Sequence, residues 1–383
     1  MAEKTAHTVE QPPGRGRRIA RAFMLVFAIY VFLLSVNMMG QAFRLLSGSF
    51  IDRVLEYAGA NPLIGLMAGV MCTAIVQSSG FVTSMVVSMV ASGSLAIPQA
   101  VPIVMGANIG TTVTNTLVSL GHISRKDDFR RACGGAIVHD LFNILTVVVL
   151  FPLEVTTGLV SRGALWIGSA LLGSQTPELP NPFEWIVRPV SRGAVWILTE
   201  GIGLSTSAAG GVLAGAALLA LFAALLTKVR LLRAMMVKRV EALLNQVLFR
   251  NAGTAMLVGV MVTFLVQSSS VTTSVMVPLV GAGVLVIEQV YPYTLGANVG
   301  TTFVAVMAAL ATGKKLALVC AGAHLLFNVL GILIFYPLRV VPISLAKGLA
   351  AHFAEKRYRA PLHVALLFFV VPGVILLIKH LWG

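Results

Sequence analysis

The chain has 383 residues, of which 57% are hydrophobic before glycine is counted and only 11% charged. Soluble domains carry about 25% charged residues, so this composition excludes a soluble fold, and apolar runs beyond strand length indicate a helical integral membrane protein. The net charge of +14, from 28 Lys and Arg against 14 Asp and Glu, does not indicate nucleic acid, because the basic residues lie between apolar segments and read as the positive bias of cytoplasmic loops.

Residues 1–18 are polar and basic and are expected to form a disordered cytoplasmic N-terminus. No short cleavable apolar segment precedes the first apolar run, so the span at about 20–45 is expected to be retained. It opens a first unit over 19–151. Within that unit, 61–93 has no Asp, Glu, Lys or Arg. As one helix it would reach about 50 Å, against a hydrocarbon core of about 30 Å. Its midpoint is the polar run Gln77-Ser78-Ser79-Gly80, which predicts a re-entrant hairpin with two arms too short to cross. Spans at about 98–119 and 131–151 follow. Residues 152–208 form an extracytoplasmic connection with Pro177, Pro180 and Pro182 and some interfacial helix. A second unit over 209–340 contains a span at 209–227, a basic connector at 228–250, a second uncharged hairpin at 251–286 broken by Gln267-Ser268-Ser269-Ser270, and spans at about 290–311 and 317–338. A connector and a last span at about 361–381 occupy 341–383.

With the N-terminus inside, 20 of the 28 Lys and Arg fall on the cytoplasmic side, in 1–21, 125–131, 228–250 and 339–359. This predicts seven crossings and an external C-terminus. Cys72, Cys133 and Cys320 have no second cysteine at metal-ligand spacing and read as small buried hydrophobes.

The two units repeat. Residues 77–84 (QSSGFVTS) and 267–274 (QSSSVTTS) match at five of eight positions, at an offset of 190. Residues 106–112 (GANIGTT) and 296–302 (GANVGTT) match at six of seven, at the same offset. A third pair, 139–143 (HDLFN) and 324–328 (HLLFN), follows at offset 185. Each unit has three crossings, an odd number, so the second is expected to be inserted upside down. Secondary transporters use this plan, with their site at the midplane.

The expected fold is therefore all-α, with two inverted repeats, each holding a re-entrant hairpin and a broken transmembrane helix. Helix starts at the hairpin tips carry unpartnered N–H groups, and serine is a favoured cap. Such tips attract an anion without a buried lysine or arginine, while hydroxyl, Gln and backbone oxygens suit Na⁺. The bland alternative is that these serines only cap and join helices. The paired glycines and Asn/Thr of the GANxGTT segments predict local unwinding that exposes carbonyls; here the alternative is close helix packing. His139 recurs as His324 whereas Asp140 does not, which favours a hydrogen-bonding role over a proton relay. No Walker A motif, complete dinucleotide fingerprint or supported hydrolytic triad is present, so no enzyme and no cofactor is expected.

VQSSG at 76–80, VPIVMGANIGTTVTNTLVSL at 101–120, VQSSS at 266–270 and LGANVGTT at 295–302 resemble the type II sodium-dependent phosphate cotransporter family. The likeness runs from about 60 to 340. It implies a Na⁺-driven importer of inorganic phosphate, with both ions between the hairpins and the broken spans. Matched residue by residue, it implies a phosphate and Na⁺ site drawn from Gln77, Ser78, Ser79, Thr83, Asn108, Thr111, Thr112, Gln267, Ser268, Ser269, Ser270, Thr273, Asn298, Thr301 and Thr302. Asn143 and Asn328 would support it, and a subset would ligate Na⁺. Gly80 departs from the family, where many members have serine. Animal members carry a disulfide and N-glycans in the long connection. Residues 152–208 have neither cysteine nor sequon, which points to a bacterial inner-membrane member. Rival readings are a Na⁺-coupled carrier of another small anion and a channel or non-transporting membrane partner. Partners are expected to be phosphate, Na⁺ and lipid, not nucleic acid; the oligomeric state stays open.

Overall fold

The structure, a computed structural model, describes residues 15–46, 61–111, 113–173, 183–247 and 251–382. Pro177, Pro180, Pro182 and Thr112 therefore lie outside the described residues, as does most of the expected disordered N-terminus. The described chain is almost entirely helical. Helix α1 is Arg15–Leu46, so residues 15–18, expected to be disordered, already belong to a helix. Two short helices follow, α2 (Pro62–Val76) and α3 (Ser79–Ser92). Next come α4 (Ile97–Gly110), α5 (Val113–Ser119) and the long α6 (Lys126–Thr157). The connection holds α7 (Leu159–Leu172) and α8 (Glu184–Trp196), the latter ending in a π-helical turn.

The second half begins with α9 (Thr206–Val247), in which the expected basic connector simply continues the span as helix. Then come α10 (Ala252–Val266), α11 (Ser269–Ser274), α12 (Met276–Gly281), α13 (Ile287–Thr312) and α14 (Lys315–Phe335). Helices α15 (Val340–Glu355), α16 (Arg359–Ala365) and α17 (Val371–Trp382) complete the chain, with a π-helical turn between the last two. Among the described residues six stretches are long and apolar enough to cross a membrane: Ile19–Leu46, Lys126–Thr157, Thr206–Leu232, Ile287–Thr312, Lys315–Phe335 and Arg359–Lys379. The interrupted pair α4–α5 is a further candidate that no single helix supplies.

The two QSS segments break the chain in the same way. Asn61 caps α2 and Asn251 caps α10, each accepting a backbone N–H with its side-chain oxygen. Both helices run 15 residues, about 22 Å. Both end on a glutamine in the left-handed region, Gln77 and Gln267, each at φ +58°. These are the sole described non-glycine residues with positive φ. Ser78 and Ser268 are extended, and their hydroxyls accept the N–H of Phe81 and Val271 at 3.2 and 3.4 Å. The second arms start at Ser79 and Ser269.

The glycines of the GANxGTT segments serve contact more than unwinding. A Cβ on Gly106 or Gly296 would overlap the carbonyl oxygen of Leu66 or Met256, and one on Gly110 or Gly300 would crowd Val70 or Val260. Gly69 and Gly259 return the favour toward Ile103 and Tyr293. In each half, then, the first short helix lies backbone-to-backbone on the helix carrying the motif, which is small-residue packing. This corrects the expectation of a broken helix in both halves. The first is interrupted after Gly110, where Thr114, Asn115 and Thr116 follow. The second runs unbroken through Gly296 and Gly300. Apolar Val304, Ala305 and Val306 stand where the first half has Thr114, Asn115 and Thr116, so those three positions offer no side chain that competes for the backbone. One further difference between the halves is that the helical stretch after the second QSS segment is divided at Val275 into α11 and α12.

A single apolar core joins the halves. It includes Val36 of α1, Val70 of α2, Val86 of α3, Met105 of α4, Val304 of α13 and Ala321 of α14. A second cluster holds α6 to α13 and α15 through Phe129, Phe142, Tyr291 and Phe353.

Candidate functional site

Most of the polar residues singled out in the sequence are buried where the two halves meet. Asn108, Asn143, Asn298, Asn328, His139, His324, Ser269 and Thr273 all fall among the buried polar groups. Burial without partners would cost each of them, so their hydrogen bonds define the arrangement. Asn298 gives its Nδ2 to Asn143 Oδ1 at 2.7 Å and turns its Oδ1 to His139 Nε2 at 2.6 Å. Asn143 in turn gives its Nδ2 to the carbonyl of Asn108 at 3.1 Å. Asn108 Oδ1 meets His324 Nε2 at 3.1 Å. The carbonyl of His324 accepts Asn328 Nδ2 at 3.0 Å.

The chain of bonds continues toward the second QSS segment. His139 Nδ1 faces Asn115 Nδ2 at 3.3 Å. Asn115 Nδ2 also donates to Thr273 Oγ1 at 2.9 Å, and the single Thr273 hydroxyl proton goes to the Ser269 carbonyl at 2.7 Å. A continuous path of buried amides, imidazoles and hydroxyls thus links Ser269 to Asn328 through both GAN asparagines. Nearby, Thr116 Oγ1 donates to Asp140 Oδ2 at 3.2 Å.

The two QSS breaks differ in their side-chain bonds. Gln77 donates Nε2 to the Ala74 carbonyl, and its Oε1 accepts Thr114 Oγ1 at 2.6 Å. The position equivalent to Thr114 is Val304, and Gln267 Oε1 is buried without a protein partner. Asn108 Nδ2 is likewise buried and unpartnered. Of these two atoms one is an acceptor and the other a donor, and His324 Nδ1 and Asn328 Oδ1 on the same path also have no protein partner. Ser270 Oγ reaches across to the Thr111 carbonyl at 3.3 Å. At the equivalent Gly80, a Cβ would stand 3.1 Å from Val304 Cγ1. The missing hydroxyl of the first half is thus matched by a bulky valine opposite it.

Other expected residues are less engaged. Thr83, Thr111, Thr301 and Thr302 bond carbonyls of their own helices, Gly80, Ala107, Ala297 and Val299. Ser78 and Ser268 serve as caps. Ser79 is buried at the start of α3, and Thr112 lies outside the described residues. Sequence reasoning missed Thr114 and Asn115. Their signal was available: both are polar in an apolar run directly after GTT, and Asn115 lies one helical turn from Thr111.

The Na⁺/Pi-cotransporter family profile matches residues 31–172 and 219–342. The chain belongs to the Na⁺/Pi-cotransporter family. Each matched segment carries one copy of the QSS and GAN motifs. The sodium-dependent phosphate transport protein 2A of sheep is 34% identical over 444 residues, covering 95% of this chain and 69% of the relative. The rabbit protein 2A is 34% identical, with 98% and 71% covered. The human sodium-dependent phosphate transport protein 2B is 32% identical, covering 92% of this chain and 64% of the relative, so the chain spans less than two thirds of it. No solved structure matches. The family is one of transporters, not enzymes, and it needs no cofactor besides its coupling ion.

Proposed function

We propose that the chain is a secondary active symporter that imports inorganic phosphate together with Na⁺ by alternating access. The observation that carries the proposal is the buried polar path from Ser269 to Asn328. It is built from residues of both halves, leaves Asn108 Nδ2 unpartnered, and stands beside the second QSS segment, where Gln267 Oε1 is also unpartnered. Phosphate is at least monovalent near neutral pH, and moving its charge into a low-dielectric interior is costly unless it is compensated. The buried described residues offer a single lysine, Lys228, whose Nζ lies over the Phe32 ring. Compensation at the hairpins therefore falls to Na⁺, ligated by neutral oxygens, and to amide and hydroxyl donors.

The matched geometry at an offset of 190 supports two re-entrant hairpins in inverted repeats, with tips at Gln77–Ser79 and Gln267–Ser270. Alternating access would then rock one repeat against the other around the shared asparagines. The charge bias supports a cytoplasmic N-terminus. The absence of cysteine and sequons from 152–208 supports a bacterial inner-membrane member. The relatives' names supply the cargo.

The deciding experiment is uptake of radiolabelled phosphate into proteoliposomes, first with an inward Na⁺ gradient and then with K⁺ in its place. Na⁺-dependent accumulation that collapses with the gradient, and that arsenate but not sulfate inhibits, is the expected result. Accumulation inhibited by sulfate equally well would reassign the cargo, and uptake that never exceeds equilibrium would make the protein a channel.

A further inference from the structure

A cleft of about 390 Å³ opens where the first turns of α6, the 282–286 turn before α13, and α15 meet. Its rim carries three cations, Arg130, Arg131 and Lys347, against one carboxylate, Glu288. The walls are apolar, with Val286, Ile287 and Ala351 among them. Two of the cations are held in place. Lys347 Nζ donates to Glu288 Oε1 at 2.5 Å, and Arg131 donates Nε to the Gly281 carbonyl at 3.0 Å and Nη2 to Asp128 at 2.6 Å. Arg130 is held most loosely, 3.9 Å from Asp127, with both side chains more than half exposed.

The surroundings of the cleft narrow its ligand. Val286 in its wall and the adjacent Val284 are about half exposed, and Val340 still more so. Val340, Lys347 and Ala351 are seven and four residues apart, so they lie on one stripe of α15. An inorganic anion would use the cations and leave these valines without a partner. An amphiphile with a negative headgroup uses both. The charge bias assigns residues 125–131 and 339–359 to the cytoplasmic side, where basic pockets meet anionic headgroups.

We propose that this cleft binds an anionic phospholipid, with its phosphate at Arg130 and Lys347 and its acyl chains over Val286, Ile287 and Ala351. The site touches the transport machinery through one bond. Arg131 holds the last carbonyl of α12, the continuation of the arm that begins at Ser269. Val280 of α12 also lines the cleft, so a bound lipid packs against the end of that arm. The binding claim rests on the membrane setting and not on the identity of the cargo.

The test uses the full chain, purified in mild detergent and offered phosphatidylglycerol or phosphatidylcholine, with retained lipid counted by native mass spectrometry. Wild type is expected to retain phosphatidylglycerol in preference to phosphatidylcholine. Arg130→Gln with Lys347→Gln should weaken retention about tenfold, the effect of losing two partly exposed charge contacts. Arg130→Lys with Lys347→Arg should preserve it. Ala351→Trp fills the wall with the charges intact and should also expel the lipid. Arg130 and Ala351 are exposed, so Arg130→Gln and Ala351→Trp alone provide the reading if the double variant fails to fold. Equal retention by wild type and either of these single variants overturns the proposal. So does displacement of the lipid by millimolar inorganic phosphate with no loss in Ala351→Trp, which would make the cleft a site for a free anion.

Discussion

His139 of the first half holds the side-chain oxygen of Asn298 in the second, at 2.6 Å, and the relation is returned by His324 and Asn108 at 3.1 Å. Asn298 gives its amide nitrogen to Asn143, so its oxygen faces the ring and His139 Nε2 is the protonated nitrogen. Nδ1 of the same ring then accepts from Asn115. Two motif residues that the sequence pairs by repetition are thus crossed in space, each imidazole reaching the other half's asparagine.

The two clasps are unequal, because His139 uses both ring nitrogens while His324 Nδ1 has no partner. His139→Ala removes two buried side-chain contacts, those to Asn298 and Asn115, and His324→Ala removes one, that to Asn108. Losing a buried partner costs about 1–3 kcal/mol. His139→Ala should therefore lower the melting temperature more than His324→Ala, measured on detergent-purified protein. The reverse order would mean that the Asn115 contact contributes little.

Gln267 sits in the left-handed region without a bond to its side-chain oxygen, whereas Gln77 has one from Thr114. A left-handed non-glycine residue is strained by about 1–2 kcal/mol. Gln267→Gly should relieve that strain and raise thermal stability, yet lower Na⁺-dependent uptake if this oxygen is the ion ligand proposed above. Gln77→Gly should gain less stability, since it also loses the Thr114 bond. Full uptake by Gln267→Gly would remove that oxygen from the site.

Gly80 and Val304 form a matched pair. Gly80→Ser puts a Cβ 3.1 Å from Val304 Cγ1, and overpacking of this kind costs about 1–3 kcal/mol. Adding Val304→Ala should restore the melting temperature. If the double variant is no better than the single, the obstruction lies elsewhere.

Gly296→Ala should abolish the folded protein, because the new methyl would overlap the Met256 backbone carbonyl and no rotamer can relieve that. Gly211→Ala, with nothing within 4 Å, should leave expression and the size-exclusion profile as in wild type. A monodisperse Gly296→Ala protein would show that α10 and α13 can separate without cost.

Both chain breaks were legible because QSS interrupts uncharged runs too long for one span. The Gln–Ser junctions are where the helices end. The function of the GAN glycines was less legible, since glycine weakens a helix and permits close approach with the same letter. What separates the two is the partner helix, Met256 and Val260 against Gly296 and Gly300, and that is tertiary information. The crossed His–Asn pairs were hidden for a related reason. Repetition aligns His139 with His324 and Asn108 with Asn298, and nothing in the alignment says that each His serves the opposite half. Asn115 is not marked by the repeat, because Ala305 stands at its repeat position.

The crossed clasps also set the order of biogenesis. When the first half has entered the membrane, His139 and Asn108 are already in place, but their partners are still to be made. His139 waits 159 residues for Asn298, and Asn108 waits 216 for His324. At translation rates of about 5–20 residues per second, that is roughly 8–40 s in which polar groups sit within the bilayer unsatisfied by their native contacts. The first half must therefore remain loosely assembled, or sheltered by the insertion machinery, until the second closes over it. Neither half holds the full set of bonds it needs to stand alone.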